Sequence, residues 1–277
     1  MARSGDAEIK ALAWPLVLSE FIGTALLIAV GCSFVVLDFA PRSPVVQAIG
    51  DAGVRRAITG FCFGSTGGLI ALSPIGKTSG AHINPVVTMA FWLQKKISGR
   101  LAVGYVMAQC AGALLGAWIL TAWGSWASLT QDAASVPGPA GNVVAAAGEL
   151  GATFCLVVGL FLFLRSRRAR RFTPALFPVL YAVMVYIEAP LSGTSTNPAR
   201  SLGPELVSHL WTGWWVYWAG PVAGSAFAVW VLLQLFPMIH DEVEVAKLYY
   251  FDHDPFGIFH RAVGGQNPQN PLKNPRA

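Results

Sequence analysis

Two short polar stretches hold the side chains best suited to chemistry in this chain. Ser79-Gly80-Ala81-His82-Ile83-Asn84-Pro85-Val86-Val87-Thr88 and Gly193-Thr194-Ser195-Thr196-Asn197-Pro198-Ala199-Arg200-Ser201 each set Asn-Pro behind a Gly-containing lead. Asn caps a helix through its side-chain oxygen, and Pro fits the first turn because its missing N–H would be unpaired there anyway. The two asparagines stand 113 positions apart (197 − 84). Paired Gly/Pro-interrupted segments at matching places in two halves point to a site at mid-membrane. The chemistry on offer is recognition and exclusion, not bond making. Two half-helices meeting N-terminus to N-terminus bring Asn84 and Asn197 together, with amide donors for whatever passes between them. Each N-terminus carries roughly half a positive elementary charge. That disfavours any cation there, a proton on a water chain included, which is a physical recipe for passing water while excluding protons. Arg200 adds a permanent positive charge in the first turn of the second half-helix, near the outer mouth. A lone Arg near a membrane usually snorkels to the interface; one placed where a helix N-terminus disfavours it points to a function.

These stretches need elements to hold them. The chain has 277 residues, 54% hydrophobic and only 12% charged, against about 25% charged in an ordinary soluble domain. Six apolar runs stand out: 16–37, 57–72, 101–123, 144–164, 174–191 and 213–235. Most approach or exceed the ~20 residues that cross hydrocarbon. The half-segments 81–94 and 195–210 are too short to cross and are expected to be re-entrant. The order span, span, half-segment, span thus occurs twice. Three crossings per half is odd, so the second half is inserted upside down, an inverted repeat. The fold class expected is an all-α membrane protein of six transmembrane helices and two re-entrant half-helices. Its parts are a tail over 1–13, a channel domain over 14–236 (repeats about 14–124 and 143–236) and a polar tail over 237–277. Within that tail, Asn267-Pro268-Gln269-Asn270-Pro271 reads as turn punctuation.

Charge placement orients the chain. Arg165, Arg167, Arg168, Arg170 and Arg171 crowd the fourth-to-fifth connection, Lys95, Lys96 and Arg100 follow the first half-segment, and 124–142 has neither Lys nor Arg. By the positive-inside rule the basic connections and both termini are cytoplasmic, with Arg42, Arg55 and Arg56 dissenting mildly on the outer side. Trp211, Trp214 and Trp215 suit an outer interfacial belt. The basic runs sit beside spans as topology signals do, so no nucleic-acid partner is expected. Contact of the Arg cluster with anionic lipid ranks below that plain reading.

Glu20 and Glu149 open the two halves, each with Thr one helical turn on, at Thr24 and Thr153. A carboxylate in hydrocarbon is costly and must find donors. A cation site is one reading; the favoured one is a structural acid that satisfies the irregular backbone N–H groups of the half-segments. Small residues spaced by four, Gly104, Ala108, Gly112 and Gly116, with Gly220, Gly224 and Ala228 later, suit close helix contact. His82 reads as a neutral imidazole bound to irregular backbone ahead of a pH switch, and His209 as structural. Cys32, Cys62, Cys110 and Cys155 fall in apolar runs with neither disulfide nor zinc spacing. No cleavable leader, metal, cofactor, nucleotide loop or nucleophile–base pair is expected, so an enzyme ranks very low. A secondary transporter shares inverted repeats and broken helices, but only Glu20 and Glu149 could serve ion coupling within its spans.

Ser79-Gly80-Ala81-His82-Ile83-Asn84-Pro85-Val86 and Asn197-Pro198-Ala199-Arg200-Ser201 resemble the two signature loops of the aquaporin (major intrinsic protein) family, over about residues 14–236. The resemblance implies a right-handed bundle of six helices and two half-helices, a pore in each subunit and a homotetramer. It implies a central constriction at Asn84 and Asn197 within the motifs Asn84-Pro85-Val86 and Asn197-Pro198-Ala199. It also implies an outer aromatic/arginine filter of Phe63, Val185, Thr194 and Arg200, and a pore lining that includes Leu27, Leu156 and His82. Three features bear on substrate. Val86 stands where the family usually has Ala, and is expected to pack at the seam with the other half-helix. Val185 stands where water-selective members usually have His, which makes the mouth wider and more apolar. Ser201 and Tyr217-Trp218 depart from the glycerol-conducting pattern, and Phe63 is the one aromatic of the expected filter. The reading is a passive water channel that excludes protons and ions, open to small neutral solutes such as hydrogen peroxide. The alternative is a glycerol-type channel. The membrane is expected to be a plasma membrane or a bacterial inner membrane, crossed several times.

Overall fold

A computed structural model describes residues 2–254, 258 and 259, with side chains from residue 14 onward apart from residue 240. The Asn267–Pro271 turn lies outside the described residues. Those residues are helical, with no strand among them. Helix α1 (Ala2–Leu26) passes through a π-helical turn, Leu27–Gly31, into α2 (Cys32–Phe39). Then come α3 (Ala52–Leu72), the short α4 (Pro85–Leu93), α5 (Gly99–Leu120), α6 (Asn142–Arg165), α7 (Thr173–Ser192), the short α8 (Pro198–Ser208) and α9 (Val216–Leu235). Among the described residues, five stretches are long and apolar enough to cross a membrane: Trp14–Phe39, Gly99–Trp123, Asn142–Arg165, Arg170–Ser192 and Val216–Leu235. Helix α3 is as long, 21 residues, or about 32 Å; Gly60, Gly64, Gly67 and Gly68 dilute its hydropathy. The outside of the bundle is apolar: Leu69, Met107, Trp118, Ile187 and Trp230 are each more than half exposed. A helix satisfies its own backbone polar groups, which is what lipid demands.

Glycine fixes how closely these helices pack. A Cβ at Gly60, Gly64 or Gly68 would lie 2.3, 2.4 and 2.5 Å from the carbonyl oxygens of Tyr181, Phe177 and Pro174, so the α3 stripe seats against the α7 backbone. In the first half Gly112 and Gly116 of α5 meet Phe21 O and Ala25 O of α1 at 2.2 and 2.5 Å by the same measure. In the second half Gly220 and Gly224 of α9 meet Glu149 Cβ and Leu150 O of α6 at 2.7 and 2.4 Å. The two halves thus build the same helix pair, with Gly112 and Gly224 each seated on the carbonyl of the residue after the buried Glu.

The half-segments are shorter as helices than as apolar runs. Residues 80–84 and 193–197 are irregular, and each helix starts at the proline after the cap. The segment after α9 also departs from its reading as a polar tail. Ile239–Glu242 is a turn of helix, and the chain beyond it lies across the end of the bundle that carries the arginine-rich connection. There Val243, Val245, Ala246 and Leu248 are at most 3% exposed. Glu244 and Lys247 are interspersed among these apolar residues, so mean polarity hides the buried set.

Candidate functional site

Asn84 and Asn197 cap α4 and α8. Asn84 Oδ1 accepts from Val86 N–H at 3.0 Å; Asn197 Oδ1 accepts from Ala199 and Arg200 N–H at 3.1 and 3.2 Å. With the oxygens committed inward, each amide nitrogen crosses to the other half. Asn84 Nδ2 donates to Thr196 O at 2.9 Å, and Asn197 Nδ2 donates to Ile83 O at 3.0 Å. An amide nitrogen carries two N–H donors, so each asparagine keeps one N–H beyond this exchange. Both side chains line one cavity of about 40 Å³, with Leu27, Phe63, His82, Ile83, Leu156 and Tyr181 among its walls. That is room for a short file of waters, each needing about 10–15 Å³.

The carbonyls that receive these amides sit on strained backbone. Ala81, Ile83, Thr194 and Thr196 have φ of +54°, +42°, +54° and +51°, with Gly80 and Gly193 at +93° and +86°. Such φ values cost free energy in non-glycine residues and persist where the surroundings hold them. The holders are the two buried acids. Glu20 accepts from His82 N–H at 3.0 Å and Ile83 N–H at 2.6 Å, from Ser79 Oγ–H at 2.7 Å and from Gln109 Nε2–H at 2.8 Å. Glu149 accepts from Ser195 N–H at 2.6 Å, Thr196 N–H at 2.7 Å and Ser192 Oγ–H at 2.7 Å. Tyr105 and Tyr217 close each bracket by donating to Ser79 O and Ser192 O, both at 2.8 Å.

Towards the tryptophan-rich end, Phe63, Val185, Thr194 and Arg200 surround a second cavity of about 30 Å³. Arg200 is 6% exposed, and its guanidinium donates to Ala133 O at 2.8 Å and Ser135 Oγ at 2.9 Å in the third-to-fourth connection. Thr194 spends its hydroxyl proton on Glu188 of α7, so it offers no donor to the cavity. The π turn serves Phe63: a Cβ on Gly31 would meet its ring at 2.7 Å. Such turns recur at functional sites.

Sequence reasoning missed Tyr181. It lies one helical turn before Val185 on α7, lines both cavities, and sets its ring 5.5 Å from that of Phe63. Its hydroxyl hydrogen-bonds Thr196 Oγ1 at 2.9 Å. Tyr181 thus adds a second aromatic to the path, one turn deeper than the expected filter position Val185. The i, i+4 spacing from Val185 was the available signal. Also missed were the Arg200 anchors, 65 and 67 positions away in a loop whose Gln131, Asp132 and Ala133 have positive φ, which no periodicity marks.

At the other end of the cavity, His82 is 1% exposed. Its Nε2 is 3.0 Å from Ala246 O and its Nδ1 3.2 Å from Thr88 Oγ1. A carbonyl only accepts, which puts the proton on Nε2. Val86 is 1% exposed and shares a groove on the outside of the bundle with Pro85, Pro198, Trp218 and Val222.

The sequence model of the family described as "Major intrinsic protein" matches residues 8–232. Aquaporin PIP1-6 of Zea mays is 33% identical over 224 residues, 76% of this chain and 73% of that protein. Lens fiber major intrinsic protein of Gallus gallus is 34% identical over 224 residues, 78% of this chain and 79% of that protein. The solved structure of the aquaglyceroporin from Plasmodium falciparum shares the fold, with a TM-score of 0.68 and 19% identity over 82% of this chain and 98% of that one. The chain belongs to the major intrinsic protein family of multi-pass membrane channels for water or small solutes.

Proposed function

Proceeding from that membership, we propose that this chain is a passive water channel that excludes protons and ions. The observation that carries the proposal is the crossed pair of amides. Each asparagine is locked by its oxygen to a helix N-terminus and by one N–H to the opposite half, which leaves a donor for the lumen. A water passing between them accepts from both and turns its own hydrogens outward along the pore. Donor orientation of this water then reverses at the midpoint, which breaks a proton wire, and the two helix N-termini add a barrier to any cation. Arg200 repeats the positive barrier at the filter.

Selectivity among neutral solutes turns on the filter. Val185 widens the mouth, while Tyr181, one turn deeper, narrows it against Phe63; Thr194 contributes no donor. We read this as a water-sized constriction set by Phe63, Tyr181 and Arg200. A second reading has a specific observation behind it: Phe63, Tyr181 and Val185 line the same cavity as Arg200, and such largely apolar lining suits the carbon chain of a small polyol. The positive-inside rule places the arginine-rich end in the cytoplasm and the filter outside, in a plasma or bacterial inner membrane, and the family implies a homotetramer.

The test is osmotic shrinkage of proteoliposomes carrying a pH-sensitive dye inside. The expected result is water flux above that of protein-free vesicles, with an imposed pH gradient undiminished. Collapse of the pH gradient in step with water flux would contradict proton exclusion.

A further inference from the structure

The cavity between the two asparagines has one wall that belongs to neither half of the bundle. Leu248 lines it together with Leu27, Asn84, Leu156 and Asn197, although Leu248 lies 13 residues beyond the end of α9. We propose that residues 243–251 are a plug that closes the arginine-rich mouth of the pore, held by ion pairs from Glu242 and Glu244. The proposal rests on the channel reading above and adds a closed state to it.

The segment is bonded to the entrance on two sides. On the first-half side, Leu248 N–H donates to Gly80 O at 3.1 Å, the His82 ring bonds Ala246 O at 3.0 Å, and Tyr250 Oη donates to Leu72 O at 2.6 Å. Lys247, 1% exposed, donates through Nζ to Lys77 O at 2.6 Å and to His253 O at 2.6 Å. Gly80 is where the two backbones touch: its φ is +93°, and a Cβ there would lie 2.6 Å from Ala246 O. On the second-half side, Arg165 at the end of α6 grips Glu242 through Nε at 2.6 Å and a second nitrogen at 3.2 Å. Arg170 holds Glu244 at 2.8 Å, and its guanidinium sits 4.8 Å from the Phe251 ring centre.

The two sets of contacts differ in kind. The inner set joins hydrogen bonds to backbone carbonyls with the packing of Leu248 at the cavity, and it forms only when the segment is seated. The ion pairs are about a quarter to a third exposed on Arg165 and Glu242, so water and salt weaken them. The clasp is therefore the part of the closed state that a change of charge loosens.

The test is stopped-flow water flux in proteoliposomes of the full chain, comparing wild type, the double variant Glu242→Gln/Glu244→Gln, and Leu248→Ala. Hydrogen–deuterium exchange of residues 243–251 is followed in the same preparations. The double variant is expected to pass water roughly fivefold faster per channel, the scale of losing two part-exposed ion pairs from the closed state, with faster exchange at Leu248. Leu248→Ala is expected to pass water faster than wild type with the ion pairs intact. Equal flux in all three proteins, with released exchange in the double variant, would overturn the plug while leaving the channel standing. Absence of flux in all three folded proteins would overturn the channel reading and the plug with it.

Discussion

At the scale of single residues, selectivity rests on what faces Arg200. Val185→His restores bulk and a hydrogen-bonding group at the filter. It is expected to cut uptake of neutral solutes on the order of tenfold more than it cuts water flux, the scale on which a snug site discriminates by a few heavy atoms. An unchanged solute-to-water ratio in matched proteoliposomes would show that Val185 does not set the aperture. Tyr181→Ala should act in the opposite sense and raise glycerol uptake, because it removes half of the aromatic pair. The buried acids set stability. Glu149→Gln keeps the shape of the side chain but turns an N–H donor towards one of the two N–H groups, Ser195 or Thr196, that the carboxylate oxygens accept from. An unsatisfied buried donor costs about 1–3 kcal/mol, so the variant should unfold earlier on heating in detergent while the folded fraction still passes water. If flux vanished with stability intact, Glu149 would carry an ion-coupling role instead. The asparagine motifs and the two acids were readable because each is a compact pattern that recurs at a fixed offset. Tyr181 was readable in principle from its spacing to Val185. The anchors of Arg200 were not, since an irregular loop brings them from the third-to-fourth connection.

At the scale of elements, glycine decides which helices touch. Gly64→Ala forces a Cβ to within 2.4 Å of Phe177 O. Overpacking of this kind costs about 1–3 kcal/mol, and a lower melting temperature with poorer recovery of folded protein is expected. Gly151→Ala is the control on a long helix: nothing lies within 4 Å of its added Cβ, and alanine is the better helix former by up to about 1 kcal/mol. A Gly64→Ala protein as stable as the Gly151→Ala protein would mean that α3 and α7 do not meet as described. The helices themselves were legible as apolar runs, with ends shifted by a few residues. The π turn at Leu27–Gly31 was not, because nothing in an apolar run marks a change from an i→i−4 to an i→i−5 bond.

At the scale of the whole molecule, the fold follows from the order span, span, half-segment, span occurring twice, which a single sequence displays without any structure. The segment beyond α9 reads as a polar tail because Glu242, Glu244 and Lys247 dominate its mean polarity. Val243, Val245, Ala246 and Leu248 are nevertheless buried, Glu242 and Glu244 pair with Arg165 and Arg170, and Lys247 donates to the carbonyls of Lys77 and His253. The same bundle thus presents a charged filter at one end, a seated apolar segment at the other, and the crossed asparagines between them. The most direct measurement of what this architecture passes is stopped-flow light scattering on one proteoliposome preparation, with osmotic water flux and glycerol uptake recorded side by side for wild type and for Glu242→Gln/Glu244→Gln. Water flux above protein-free vesicles with glycerol at background, in both proteins, is the result expected of a constriction at Phe63, Tyr181 and Arg200. Glycerol uptake that rises in step with water flux would contradict it and make the cavity lined by Phe63, Tyr181 and Val185 a polyol path.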